Sequence, residues 1–262
     1  MSKTKMNYSN FSYSEFVDYA LSTDRVIGAD DRISERSRTN DFNFTGTESI
    51  EDAINYARHG WDSGIKELEL EKDLIIDGQF ECYNSIVGSS VDVGAFLSGD
   101  PECMIQFVDK IERDRPELTI YTMLTYSGFK SQVDALKYAK RILNIIVNAD
   151  REYSVRLVGV FASRQEKNND SLVFVTIKNN YQNLVLNNLA FAFHPSFFRR
   201  LWFRFAETKE YRGCGYGRPY ESAEFKNEIR KYHEKNDRSK AWVLPTFQHS
   251  GYEWEEESIL KF

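Results

Sequence analysis

Cysteine is scarce in this 262-residue chain: Cys82, Cys103 and Cys214 are odd in number, widely spaced and without a C-x-x-C pair. This suggests neither a disulfide framework nor a zinc cluster and fits a reducing compartment. Histidine is almost as rare, with four residues. No D-x-D or paired-histidine spacing marks a metal site, so no metal is expected. Long apolar runs are missing too. None approaches the roughly 18 residues of a membrane span, and the opening MSKTKMNYSNFSYSEF lacks the apolar core of a signal peptide. The expectation is a cytoplasmic protein without membrane contact. Basic residues are outnumbered, 34 against 40 acids for a net charge of −6. The whole surface is therefore a poor electrostatic match for nucleic acid, which leaves only a local patch open. No G-x-G-x-x-G, Walker, serine-elbow or kinase pattern occurs, so no cofactor is expected and the balance leans away from an enzyme.

What is present is core material. Apolar residues make up 41% and aromatics 15% of the chain, too much for a disordered one even with 28% charged residues. The length allows one large domain.

Residues 1–41 are polar with few aliphatics. In YSEFVDYAL, Phe16, Val17 and Ala20 share one side of a short helix. This segment reads as an arm that docks by a few aromatics, or as a mobile tail. The next stretch is clearer. In FNFTGTESIEDAINYARHGW, Ser49 and Asp52 form a capping box, Ile50, Ala53, Ile54 and Ala57 follow helical spacing, and Gly60 supplies the stop.

SQVDALKYAKRILNIIVNAD predicts a long helix capped by Ser131. Its stripe of Val133, Leu136, Ala139, Leu143 and Ile146 stands opposite Lys137, Lys140 and Arg141. Strand patterns flank it at 118–124 and 153–163, which makes a βαβ unit with parallel strands. A third strand, 172–178, follows as a hairpin partner or neighbour. The fold class is α/β: a mostly parallel or mixed sheet with packed helices, in one main domain at 42–208. A C-terminal extension at 209–262 holds a charged helix and the short extended segment WVLPTF.

Three groups of residues are candidates for chemistry. FHPSFFRRLWFRFAE predicts a helix entered through Pro195, with Phe198, Leu201, Trp202 and Phe205 on one face and Arg199, Arg200 and Arg204 on the other. With Arg212, Tyr216 and Arg218 of the turn-rich loop YRGCGYGRPY, these arginines are candidates to grip phosphates or stack on bases. The alternative is that they cover core edges with their stems. His194, at the helix entry, is a candidate base or an ordinary cap. Thr125, Ser127 and Gly128 lie where the first strand of the βαβ unit ends and its helix begins, a candidate anion pocket. Asp92, Asp100 and Glu102, among glycines and a proline, are a weaker candidate for a divalent ion. The reading preferred for Gly99-Asp100-Pro101 is a tight turn before a helix at ECMIQFVDKI.

Taken together, FNFTGTESIEDAINYARHGW, SVDVGAFLSGDPECM and LAFAFHPSFFRRLWFRFAE resemble a bacteriophage and mobile-element protein family of unknown function, over about 42–207. Trp61, Pro101, His194, Arg199 and Arg200 match its pattern. The resemblance implies a viral origin and a bacterial cytoplasm, and it carries no catalytic residues. The functional expectation is a non-enzymatic protein that binds a macromolecular partner, a protein first. The alternative is a nucleic-acid-binding or nucleic-acid-processing protein that uses the arginine helix and the 211–220 loop.

Overall fold

The computed structural model describes residues 5–21, 41–68, 80–87, 90–109, 115–163, 169–180, 182, 185–208, 219–247 and 259–262. The chain forms two compact units, residues 1–70 with 116–262, and residues 71–115. The larger unit begins with β1 (Lys5–Ser12), α1 (Tyr13–Leu21), α2 (Phe42–Thr45), α3 (Ile50–His59) and α4 (Asp62–Glu67). The smaller unit holds β2 (Phe80–Ser85), β3 (Ser90–Val91), α5 (Val93–Leu97) and β4 (Met104–Asp109). The larger one resumes with β5 (Glu117–Met123), α6 (Gln132–Glu152), β6 (Ser154–Ser163), β7 (Asn169–Lys178) and α7 (Leu186–Ala192). A π-helix (Phe197–Trp202), α8 (Phe203–Thr208), α9 (Ser222–Asn236), β8 (Lys240–Val243) and β9 (Leu260–Lys261) complete it.

The elements whose signals are local form as their sequences dictate. Ser49 and Asp52 cap α3 reciprocally, and Gly60 ends it at φ +86°. Ser131 Oγ accepts the Asp134 N–H at 3.1 Å to start α6. Strands β5 and β6 pair in parallel on either side of that helix, and β7 returns antiparallel to β6. The fold is therefore α/β, built on a mixed six-stranded sheet of order β1-β7-β6-β5-β8-β9.

Four expectations change. The core does not stop at 42–208. Strand β1 pairs in parallel with β7 along its whole length, Phe16, Val17 and Ala20 of α1 are buried, and β8 pairs in parallel with β5. Both flanks thus complete the sheet, because β7 and β5 would otherwise present unpaired backbone edges. On α6 the buried row runs through Ala135, Tyr138, Ala139, Ile142, Leu143 and Ile146, while Val133, on the opposite side of the helix, is 60% exposed. The segment expected as a helix at ECMIQFVDKI is strand β4, paired antiparallel with β2; a short apolar run fits either state until a partner strand decides it. The fourth change concerns the arginine helix and is taken up with the site.

Side chains alternate across the larger sheet. One face carries Tyr121, Val158, Val160, Leu172 and Phe174 against Phe225 and Ile229 of α9. The other carries Phe161, which stacks on Trp202 at 4.7 Å and on Phe16 at 5.3 Å.

Candidate functional site

The arginine helix is not an amphipathic surface element. A π turn takes up more residues than an α turn, so the i, i+3, i+4 relation no longer defines one stripe over Phe197–Trp202. Every residue from Phe197 to Ala206 is buried, with Arg199 at 1%, Arg200 at 0% and Arg204 at 5% exposure. Arg199 donates from Nη2 to the Lys130 carbonyl at 2.7 Å and from Nη1 to the Phe44 carbonyl. Its guanidinium lies 4.3 Å from the Phe44 ring centre and 5.0 Å from that of Tyr126. Arg200 donates from Nε to Thr47 Oγ1 at 2.6 Å and from Nη2 to Thr45 Oγ1 at 2.9 Å and the Thr47 carbonyl at 2.6 Å. These donors fasten the turn after α2 to the helix. They present no cationic face to a phosphate backbone, so the expected outward side of this helix is corrected: its arginines point into the core because carbonyls from distant segments wait there. Arg212, Tyr216 and Arg218 lie outside the described residues.

His194 is 7% exposed, and its Nδ1 accepts the Ser196 N–H at 3.2 Å with Ser196 Oγ at 2.7 Å. The ring is a turn cap, wedged edge-on against Trp61 at 4.4 Å. Burial lowers its pKa to about 3, which keeps it neutral. Gly46, at φ +84°, leaves the room: a Cβ there would stand 2.8 Å from His194 Cε1.

The residues at the end of β5 are also committed elsewhere. Thr125 is buried and its Oγ1 accepts the Ala162 N–H at 2.8 Å. Ser127 Oγ faces the Phe129 N–H at 3.4 Å, and Gly128 is exposed. The Asp134 and Ala135 N–H groups at the start of α6 go to Ser131. In the smaller unit, Asp92 caps α5 by accepting the Gly94 and Ala95 N–H groups at 2.9 and 3.1 Å, and Asp100 accepts the Glu102 N–H at 2.9 Å. Among the described residues no three His, Cys, Asp or Glu side chains gather to hold a metal, and no helix is long and apolar enough to cross a membrane.

The feature that sequence reasoning missed is on the smaller unit. Ile86, Val87, Val91, Val93, Phe96 and Leu97 are all exposed, at 44–78%. They are six of the eleven exposed large apolar side chains among the described residues, within twelve positions, so this exposure is concentrated. On α5, Val93, Phe96 and Leu97 follow i, i+3, i+4 spacing, yet the helix buries none of its residues. Positions 84–105 add Asp92, Asp100 and Glu102 and contain no lysine or arginine. The result is a concentrated set of exposed apolar side chains on a segment whose only charged residues are acidic. Helical spacing over VGAFL was the available signal, obscured by the two glycines around it.

No curated protein and no solved structure matches the chain. A family comparison matches residues 2–262 and so takes in both flanks that complete the sheet. On that match the chain belongs to the family described as Domain of unknown function (DUF7192).

Proposed function

We propose that the chain is a phage-encoded, non-enzymatic protein that binds a protein partner in the cytoplasm of a bacterial host, through the apolar surface at residues 86–97. The phage origin and the compartment rest on the motif resemblance. The binding mode rests on one observation, the exposed Val93, Phe96 and Leu97 face of α5 with its flanking Ile86, Val87 and Val91. Large aromatic and aliphatic side chains desolvated at the centre of an interface supply most of its affinity. Asp92, Asp100 and Glu102 along the same segment favour a partner whose apolar groove is edged by lysine or arginine over a nucleic acid. The buried Arg199, Arg200 and Arg204 offer no competing cationic surface.

The test is capture of the tagged full chain and of a Phe96→Asp/Leu97→Asp variant from bacterial lysate, each with and without nuclease. The reading expects a stoichiometric protein that survives nuclease and is lost with the variant. A partner held equally by the variant, or released by nuclease, overturns it. Both positions are exposed, so the variant should unfold at the wild-type temperature.

A further inference from the structure

A cavity of about 190 Å³ opens on the α9 face of the larger sheet, where the C-terminal turn of α9 lies over the strands. Its location is at the N-terminal ends of β5 and β6, the end of the βαβ unit opposite to Thr125–Gly128.

Part of the wall is aromatic and held in place, among the polar side chains of Asn10, Thr176 and Asn236. Tyr232 of α9 stacks on Phe174 of β7 at 4.0 Å and 14°. Tyr232 Oη donates to Asn10 Oδ1 at 2.6 Å, which fixes the ring against β1. Tyr121 Oη lies 3.0 Å from His233 Nδ1, whose Nε2 donates to the Ser239 carbonyl at 2.9 Å. Tyr121 is held by this contact and is not free to turn.

At the polar end Arg156 and Asp237 stand side by side. Arg156 lines the cavity, and its Nε is shielded from solvent with no hydrogen-bond partner. Its nearest carboxylate, Asp237, stands at 3.7 Å from Nη1, too far for a hydrogen bond. Asp237 has its own donors: Oδ1 accepts the Arg238 and Ser239 N–H groups at 2.7 and 2.9 Å, and Oδ2 accepts Thr119 Oγ1 at 3.3 Å. Burial raises its pKa, but the hydrogen bonds from Ser239 and Arg238 outweigh it and hold the carboxyl below the usual range. A planar fork, close to Asp237 but not hydrogen-bonded to it, thus stands at the end of the aromatic part of the lining.

We propose that this cavity binds a small monocarboxylate with a planar apolar body, its carboxylate on the Arg156 fork and its ring along Tyr232 and Phe174. A guanidinium matches a carboxylate through two parallel N–H···O bonds. An apolar cavity of about 150 Å³ admits benzene, so the volume here has room for one ring and its carboxylate. The fixed negative charge of Asp237 beside Arg156 disfavours a second negative charge on the ligand. The site does not depend on the protein-partner reading, since none of its residues belongs to 71–115.

The test is calorimetric titration of the full chain with benzoate, benzamide and phenyl phosphate, on the wild type and on Arg156→Gln and Thr176→Phe. Thr176 lines the cavity, and the larger ring would fill it while leaving Arg156 in place. The Arg156 side chain is 41% exposed, so its replacement should leave folding intact, with thermal unfolding as the check. Benzoate is expected to saturate the wild type and to bind each variant at least about tenfold more weakly. Benzamide and phenyl phosphate are expected to trail benzoate by about the same factor. Absence of saturable benzoate binding to the folded wild type, equal binding by Arg156→Gln, or tighter phenyl phosphate binding would each overturn the assignment.

Discussion

On one face of the larger sheet, Phe161, Trp202, Phe16, Phe197 and Phe205 close into a dry aromatic stack that α1, the π-helix and α8 supply together. On the other face, α9 covers the middle with Phe225 and Ile229 but leaves Arg156, Asp237 and Tyr232 around a cavity at one end. Arginine shows the contrast most directly. Arg200, on the first face, has its fork filled by Thr45 and Thr47, whereas the guanidinium of Arg156, on the second, stands 3.7 Å from Asp237, too far for a hydrogen bond. The same residue type is a fastener where the chain supplies acceptors and a candidate receptor where it does not. Stability should therefore be concentrated on the first face, and ligand binding on the second.

Substitutions can break that division. The largest effect is expected from Phe16→Ala, which opens a hole against Phe161, Phe197 and Phe205 and should cost about 3–5 kcal/mol in denaturant unfolding. It also asks whether the N-terminal flank is integral, because a docked ornament would lose far less. Arg200→Met keeps the bulk but removes three donor contacts to Thr45 and Thr47, so a loss of about 2–3 kcal/mol is expected by the same measurement.

Acid should act on the aromatic face through His194. Its folded-state pKa of about 3 lies below the ordinary histidine value of 6.5, so the unfolded chain takes up a proton that the folded one refuses. Stability is full above about pH 6.5 and falls as pH drops towards 3, by up to about 1.4 kcal/mol per pH unit. Chemical denaturation midpoints at pH 7, 6 and 5 should show this decline, and a His194→Gln variant should lose it. A flat profile would mean that the ring is not buried neutral. The smallest effect on stability is expected on the α9 face: Arg156→Gln should change it by less than about 0.5 kcal/mol, since its contact with Asp237 is long and partly solvated. A loss as large as that of Arg200→Met would remove the distinction between the two faces.

Much of the fold is readable one segment at a time. The Ser49/Asp52 box, the Ser131 cap, the Gly60 stop and the run of strand, helix and strand from β5 to β6 each depend on residues within a few positions of one another. The candidate sites are different. Spacing alone turns Arg199 and Arg200 outward, yet the carbonyls of Phe44, Thr47 and Lys130 that hold them come from 69 to 155 positions away. Likewise Asn10, Tyr121, Arg156, Phe174 and Tyr232 form no motif along the chain; the register of β1, β7, β6 and β5 under α9 collects them.

Helix starts, strand periodicity and the α/β class follow from the amino-acid order, because capping bonds and alternating burial are short-range and each element carries its own signal. Which flank closes the sheet, where an arginine spends its donors and where a cavity is left depend on partners far apart in the chain. Burial favours those pairings: a buried donor or acceptor gains a mate wherever the packed chain offers one, and the Nε of Arg156, like that of Arg199, is left without one.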